Sequence, residues 1–529
     1  MKIDFKLPFL CFVCVCLSLF SWSTRAQAQG LDLDYTLTID DPSSHIITVK
    51  LDVANITSSP LKLTRQIPYQ TNPTILSITV SSGGSSIPYT IDYSDLYYET
   101  YVINVTGSVT VEYSMDLEFT PQGGSGVHGC WNLDELYGAI EAHLLFLQPG
   151  IDSTISNCEV RANLPTDWKL VSRFTDRGGY YEANVDDKVV IYNHDPEYEF
   201  IIWGPIAFGD FDEYVSTIGG VEAEVAFYGN DALQAEISGH LLSVFDYLTQ
   251  AIGPLNDPAK SSKPIRYLYV LLHETQRVVH TGDHIYGQIT TTYEGDSDRM
   301  RYRGDAHMIS HTWFSHFGIV LDAIYVTGWI SEGIIQFYAL KSLEMAGIWT
   351  ASEVNDHLIG WYNDYKDYIL GTAYDVPIFP ESGWINFPDD PLPSLYSYGI
   401  RRIIWYEKLP LVFRMLDWKI GDVTQGQKSL DDVWHHSDPY YYGKWWSGDM
   451  CYDELLTKCN NLVGLDFSNF FQKYIAGKAQ LPYYIEGGTL KNNYSEIPEP
   501  TELPEDEDGD GGSDGGGGGG CFISTVKAK

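Results

Sequence analysis

Residues 305–338 carry the pattern from which the fold can be inferred, and they read D305-A-H-M-I-S-H-T-W-F-S-H-F-G-I-V-L-D-A-I-Y-V-T-G-W-I-S-E-G-I-I-Q-F-Y338. His307 and His311 are spaced i, i+4, so on a helix both imidazoles project from one face, which is how two histidines reach one Zn²⁺. Glu332 begins a second apolar helix and is predicted to supply a third ligand, which leaves the fourth position of a tetrahedral site to water. We therefore predict a zinc site formed by His307, His311 and Glu332.

The residue after the first histidine is Met308, and it limits the chemistry of this site. A thioether has no proton chemistry, so Met308 cannot act as the general base that activates a metal-bound water. Asp305 precedes His307 by two residues and is predicted to be the N-cap of the helix, with the role of a substitute base as the alternative. His316 lies off the ligand face and is interpreted as a core or surface residue.

The same stretch resembles the catalytic core of the gluzincin zinc aminopeptidases, whose motif is H-E-x-x-H followed after about 18 residues by N-E-G. In this chain, 20 residues separate His311 from Glu332. Farther on, W405-Y-E-K-L409 is similar to the family's Y-E-K-G segment, with Leu409 in place of the glycine. The resemblance implies that Tyr406 donates a hydrogen bond to the tetrahedral oxyanion.

Two departures from the family's motifs argue for a lost or altered activity. Met308 occupies the position of the family's general-base Glu. The family's amine-binding motif G-A-M-E-N corresponds to T281-G-D-H-I-Y-G287, where His284 takes the place of the amine-binding Glu and Asp283 is adjacent. An imidazole binds a peptide's ammonium group poorly, so Asp283 and His284 are predicted to form an altered substrate site.

The ends of the body resemble the glycyl aminopeptidase branch of this group. Y-T-L-T-I-D-D-P-S-S-H-I-I-T-V, residues 35–49, is similar to how its β domains open, and residues 465–483 are similar to its final helices. The PDZ module that is common in that branch is absent from this sequence. The resemblance covers roughly residues 31–485 and implies a thermolysin-like α/β core.

Residue patterns divide the chain into a strand-rich and a helix-rich half. Alternating, β-branched segments fill residues 31–205, and apolar residues at helical spacing begin near residue 231. We predict an α+β multidomain fold, an N-terminal β-sandwich-like domain followed by a thermolysin-like α/β and helical catalytic-type domain. The predicted units are a signal peptide 1–28, a β domain 29–205, a metal-site domain 206–345, a helical subdomain 346–485, an acidic Gly-rich linker 486–520 and a tail 521–529.

The first 28 residues predict export. Lys2 and Lys6 precede an apolar run from Leu7 to Trp22, and A-Q-A follows, which is typical of a cleaved secretory signal. We therefore expect a secreted, periplasmic or cell-surface protein. C-F-I-S-T-V-K-A-K, residues 521–529, resembles the Gly-rich Cys-Phe-Ile tails of some exported bacterial proteins, which implies attachment to the cell surface through the tail.

Cysteine usage also fits an oxidising compartment. Five cysteines follow the predicted signal, and the expected pairs are Cys130–Cys158 and Cys451–Cys459, which leaves Cys521 unpaired. Sequence alone does not establish either pair, because the separation of the Cα atoms decides it.

The net charge and the absence of other motifs reduce the number of functional classes that fit this sequence. Lys and Arg number 33 and Asp and Glu 71, so the net charge is −38 and nucleic acid is an unfavourable partner. The sequence contains no G-x-S-x-G, Walker or G-x-G-x-x-G motif. The leading hypothesis is a catalytically impaired, metallopeptidase-like protein that binds a peptide or protein ligand. The alternatives are an active metallopeptidase with another base, and a surface-attached binding or adhesion protein that uses the aromatic patch 438–449.

Overall fold

A computed structural model provides the structure of the chain. It describes residues 30–503 with the exception of 68–72, 96–97, 119–130, 151–152, 186–188, 192–197, 201, 203, 230–233, 256–265, 275–286, 294–297, 317–323, 373, 379–401 and 435–447. The predicted signal peptide and tail lie outside the described residues, as do Cys130, Asp283, His284 and most of the aromatic patch. Of the helices described, none is long and apolar enough to cross a membrane.

The N-terminal part is built from β-strands. An eight-stranded sheet has the order β14-β15-β12-β1-β2-β8-β4-β5, and two four-stranded sheets have the orders β13-β18-β10-β9 and β11-β3-β7-β6. The strands are β1 Leu31–Thr38, β2 Ile46–Ile56, β3 Leu61–Gln66, β4 Thr74–Ser82, β5 Ser85–Ser86, β6 Tyr89–Asp92, β7 Tyr98–Ile103, β8 Gly107–Asp116, β9 Trp131–Leu133, β10 Tyr137–Glu141, β11 Gln148–Pro149, β12 Ile155–Asn163, β13 Lys169–Ser172, β14 Thr175–Asp176, β15 Tyr181–Glu182, β16 Val189–Ile191, β17 Tyr198–Phe200 and β18 Pro205–Gly209.

Alternation of side chains places the core of this β domain between its sheets. Strand β1 buries every second residue, beginning with Leu31, because successive side chains point to opposite faces. The hydroxyl groups of Tyr35 and Tyr113 lie in this core and donate hydrogen bonds to the carbonyls of Leu147 and Leu145, each at 2.8 Å. These bonds satisfy polar groups that would otherwise destabilise a buried site.

A separate four-stranded sheet carries the helical part of the chain. Its strands are β19 Asp212–Ile218, β20 Val221–Tyr228, β21 Arg266–Glu274 and β22 Gly287–Tyr293, in that order, and β20, β21 and β22 are parallel. Both faces of β21 are buried: Leu268, Val270 and Leu272 pack against the β domain, and the alternate residues pack against helices. Burial on two faces explains the continuous apolar run in the sequence of β21.

All but one of the described helices follow strand β20 in the chain. They are α1 Ala142–Leu145, α2 Gln234–Ile252, α3 Asp298–His316, α4 Ile324–Met345, α5 Ala351–Asp364, α6 Leu409–Val423, α7 Leu430–Trp434, α8 Gly448–Val463 and α9 Ser468–Tyr474, with π-helical turns at Tyr365–Ile369 and Ile404–Lys408 and short 3₁₀ turns at Pro42–Ser44 and Tyr494–Glu496. The α+β class, with a β-rich N-terminal part and a helical C-terminal part, is confirmed. The short helix α7 and the strand β22 were not predicted.

The predicted start of the linker at residue 486 is wrong. Strands β24 Tyr483–Glu486 and β25 Thr489–Asn492 form a hairpin, and β26 Thr501–Glu502 pairs with β23 Leu465–Asp466. Asn355 on α5 fixes the hairpin, because its side chain bonds the carbonyl of Gly488 at 3.1 Å and the N–H of Leu490 at 2.9 Å. Backbone pairing therefore orders the chain to residue 503, and the acidic, glycine-rich part lies outside the described residues.

Both disulfide predictions are contradicted, because Cys158 and Cys459 are free, buried thiols. Cys158 faces the core of the β domain, and its expected partner Cys130 lies outside the described residues. Cys451 and Cys459 both lie on α8, where eight residues span about 12 Å along the axis, well beyond the Cα separation of a disulfide. Burial raises the pKa of the Cys459 thiol to about 12, so the group is neutral.

Candidate metal centre

Helix α3 has two distinct faces, and this division positions the histidines. One face packs into the core of the helical part with the apolar residues Tyr302, Ala306, Ile309 and Trp313. The opposite stripe carries Arg303, His307 and His311, each one turn from the next. The helix begins at Asp298, so the predicted N-cap role of Asp305 is wrong. The Asp305 carboxylate instead accepts a 2.7 Å hydrogen bond from the Tyr269 hydroxyl on β21.

Three predicted ligands converge between α3 and α4. The Nε2 atoms of His307 and His311 lie 3.0 Å apart. The Oε2 atom of Glu332 lies 3.5 Å from Nε2 of His307 and 3.6 Å from Nε2 of His311. Only these three residues, among those described, form a group of His, Cys, Asp or Glu side chains suited to hold a metal ion.

The spacing of these atoms fits a tetrahedral zinc ion. A metal about 2.1 Å from each ligand atom separates neighbouring ligand atoms by about 3.4 Å, which lies within the observed range of 3.0 to 3.6 Å. Oε2 of Glu332 is buried and accepts no hydrogen bond from the residues that the structure describes, which is costly for a carboxylate unless a cation binds it. The donor set of two imidazoles and one carboxylate is also one that zinc prefers.

Tyr406 belongs to this centre. Its ring lies 5.8 Å from the ring of His307, and its hydroxyl donates a hydrogen bond to the carboxylate of Glu332. Burial raises the pKa of Glu332 to about 7, and the bond from Tyr406 opposes that shift. Tyr406 therefore lies beside the predicted metal ligands and contacts Glu332 through its hydroxyl, and its role as a donor to the oxyanion stays a prediction.

A π-helical turn explains how Tyr406 reaches the site. Pro410 has no N–H, and in a regular α-helix its ring would clash with the carbonyl of Tyr406, four residues earlier. The chain widens over Ile404–Lys408 instead, and the N–H of Leu409 bonds the carbonyl of Ile404, five residues back. Such widened turns often carry functional residues.

Gly333 is the point of closest approach between α4 and α6. A Cβ atom at Gly333 would lie 2.3 Å from Cδ2 of Leu409 and 2.5 Å from its Cγ. The glycine after Glu332 therefore has a packing role, and Leu409 fills the space above it. This contact holds the helix of Glu332 against the segment of Tyr406.

We expect Gly333→Ala to lower the apparent melting temperature, because overpacking of this kind costs about 1–3 kcal/mol. Leu409→Ala opens a cavity and is destabilising alone. In the double variant each change relieves the other, so the loss should be smaller than the sum of the two single losses. Strictly additive losses across this double-mutant cycle would contradict the contact.

A buried carboxyl lies directly after Tyr406. Glu407 is buried and forms a 2.9 Å ion pair with Arg402. Burial raises the pKa of Glu407 to about 7; Arg402 opposes the shift and nearby Asp364 adds to it. The folded protein therefore holds this proton more tightly than the unfolded chain between about pH 4.5 and pH 7, and stability falls as pH rises through that window.

We expect Glu407→Gln to flatten this dependence, because it removes a contribution of up to about 3 kcal/mol to the loss of stability between pH 5 and pH 7.5. The measurement is the apparent melting temperature against pH in the presence of a chelator. Glu486→Gln, at an exposed position, controls for the change in net charge. An unchanged slope in Glu407→Gln would show that another group carries the dependence.

The structure describes only some of the other residues that were predicted to belong to the site. Met308 is half-buried on α3, adjacent to His307 in the chain. Asp283 and His284 lie outside the described residues, so their substrate role stays a prediction. Sequence reasoning missed Arg303, although its spacing of four residues before His307 places it on the ligand face.

Fold and site together consist of a β domain joined to a helical domain that carries a His-His-Glu group suited to hold a metal ion. No protein-family profile and no curated protein sequence matches the chain. Among solved structures it is similar to an aminopeptidase N family protein from Idiomarina loihiensis, with a TM-score of 0.60 and 15% identity over 85% of this chain and 76% of that chain. An M1 zinc metallopeptidase from Deinococcus radiodurans, at 16% identity over 86% of this chain and 95% of that one, has a TM-score of 0.48. The chain thus has the fold of the aminopeptidase N protein.

Proposed function

We propose that this chain is an exported, zinc-binding, metallopeptidase-like protein that binds peptides and hydrolyses them poorly. The observation that carries the proposal is the triangle of His307, His311 and Glu332, with edges of 3.0, 3.5 and 3.6 Å and a methionine next to the first ligand. The triangle has the dimensions of a zinc site, and the methionine occupies the place where the general base is expected.

The chemistry of the proposal divides between the metal and the chain. When bound, zinc supplies a Lewis acid and lowers the pKa of a coordinated water. Met308 takes up no proton, so the step that needs a base lacks its usual 10²–10⁴-fold assistance. Tyr406 holds a proton at its hydroxyl and donates it in a hydrogen bond to Glu332, which orients that carboxylate toward the two histidines. Binding is therefore favoured over turnover.

An active enzyme that recruits Asp305 as base is less well supported. The Asp305 carboxylate is buried and accepts a hydrogen bond from Tyr269 on β21. Side chains two residues apart on a helix do not face each other, so Asp305 and His307 project in different directions. The third hypothesis is a surface-attached adhesion protein that uses the aromatic patch 438–449. Most of this patch lies outside the described residues.

Two measurements test the proposed function together. Elemental analysis of protein purified after growth in zinc should give about one zinc per chain. Hydrolysis of short peptides by the wild type should be slow, and the Met308→Glu variant should be faster. Protein without metal, or wild-type hydrolysis that is fast and chelator-sensitive, would overturn the proposal.

A further inference from the structure

Two arginine side chains, Arg303 and Arg402, lie near the predicted metal centre. Arg303 lies on the same face of α3 as His307 and His311, one turn before His307. Arg402 lies one turn before Tyr406 on the segment that packs across the site. Burial lowers the pKa of Arg303, and repulsion from the neighbouring Arg402 guanidinium adds to this shift. One arginine thus lies on the helix of the two histidines, and the other lies on the segment of Tyr406.

The charge of Arg303 is not neutralised by a close acidic partner in the described part of the chain. Glu407 forms its ion pair with Arg402 and acts on Arg303 only at longer range. Among the described residues, Arg303 donates a hydrogen bond from its Nη1 atom to Nε2 of His357, at 3.1 Å. A half-buried guanidinium that no described carboxylate contacts is unusual in a chain with 71 acidic and 33 basic residues, because burial of an unpaired charge is costly.

His357 is built to orient this guanidinium. Burial and the neighbouring Arg303 lower the pKa of His357 to about 4, so the imidazole is neutral and accepts the bond through Nε2. The rings of Trp361 and Trp349 pack edge-on against the imidazole, with centroids 4.7 and 5.5 Å away. A fixed acceptor on one side of the guanidinium leaves its other N–H groups to bind a ligand.

We propose that Arg303, oriented by His357 and supported by Arg402, is an anion-recognition residue that binds a carboxylate of the peptide ligand beside the metal centre. The inference rests on the proposed function, because it names the chemistry of the ligand that the same site binds. A planar guanidinium matches a carboxylate through two parallel hydrogen bonds, and these charge-assisted bonds are among the stronger ones in proteins. The carboxylate comes either from the C-terminus of a peptide or from an acidic side chain.

Two matched peptide pairs separate these sources. Ala-Ala-Ala and Ala-Ala-Ala-amide differ only in the terminal charge, and Ala-Glu-Ala and Ala-Gln-Ala differ only in the side-chain charge. Calorimetric titration of the full chain, both zinc-loaded and metal-free, gives the affinity ratio for each pair. We expect the charged member of one pair to bind about tenfold more tightly, the size of effect typical of a hydrogen bond to a charged group.

Variants of the protein then test whether Arg303 causes the preference for the charged peptide. Arg303→Gln should abolish the preference, and Arg161→Gln, which changes a partly exposed arginine of the β domain, should leave it unchanged. If Arg303→Gln does not fold, Arg303→Lys decides, because a point charge in place of the two-pronged contact should reduce the preference about threefold. Equal affinities within both pairs, or a preference that is undiminished in the Arg303 variant that folds, would overturn the inference. Failure to bind zinc would overturn the proposed function instead, since the arginine and its ligand preference can be tested in metal-free protein.

Discussion

His307→Ala and His311→Ala should each reduce the zinc content from about one ion per chain to near zero. Three protein ligands and a water complete a tetrahedral zinc site, so the loss of one imidazole leaves only two protein ligands, too few for stable binding. The two Nε2 atoms lie 3.0 Å apart and face the same carboxylate oxygen of Glu332, so neither histidine has a nearby replacement among the described residues.

Elemental analysis after dialysis, with a zinc-dependent shift of the apparent melting temperature as a second readout, measures this effect. His240→Gln is the matched control, because His240 lies on α2 and packs against Tyr302, away from the ligand stripe. That variant should keep its zinc. Retention of stoichiometric zinc by His307→Ala would show that the metal is held elsewhere in the chain.

Met308→Glu should increase the rate of peptide hydrolysis about tenfold or more. The substitution restores a carboxylate at the position where the resemblance places the general base, and such assistance is typically worth 10²–10⁴-fold. We expect the lower end of that range or less, because His284 still occupies the position that corresponds to the amine-binding Glu. A half-buried position on a regular helix also accepts Glu without loss of helix propensity.

Met308→Gln is the matched control for this gain, because it adds a polar side chain of the same size that takes up no proton. Rates on short peptides are compared at equal zinc content, with and without a chelator. The gain should appear in Met308→Glu and be absent from Met308→Gln. Chelator-sensitive cleavage that is robust in the wild type and equal in all three proteins would show that the catalytic base lies elsewhere.

Much of the fold could be predicted because local patterns and tertiary packing agree. Strand β1 alternates buried and partly exposed residues, as its sequence alternates, and β21 reads as a continuous apolar run because both its faces are covered. The prediction was wrong where it rested on amino-acid composition alone. The segment 486–503 is polar and was read as linker, but backbone pairing in β24–β25 and β23–β26, which composition does not reveal, orders it.

Cysteine pairing failed for a geometric reason. Proximity in sequence suggested Cys451–Cys459, but a helix separates residues eight apart by about 12 Å, so one regular element is enough to exclude the bridge. Cys158 follows the alternation of β12 into the apolar core, where its thiol is free. The assignment of residues 448–463 to one helix is therefore enough to exclude a Cys451–Cys459 disulfide.

From the sequence alone, the i, i+4 spacing of His307 and His311 predicts that both histidines share one helix face, and Glu332 downstream completes the predicted ligand set. The sequence also places a methionine directly after His307. The way in which Tyr406 and Arg303 come to lie beside these residues depends on tertiary packing. The π-helical turn before Pro410 and the contact of Gly333 with Leu409 bring Tyr406 to Glu332, and the packing of α5 on α3 sets His357 against Arg303. These contacts join residues 50 to 80 positions apart in the sequence, and local periodicity cannot encode them because they depend on how whole helices pack.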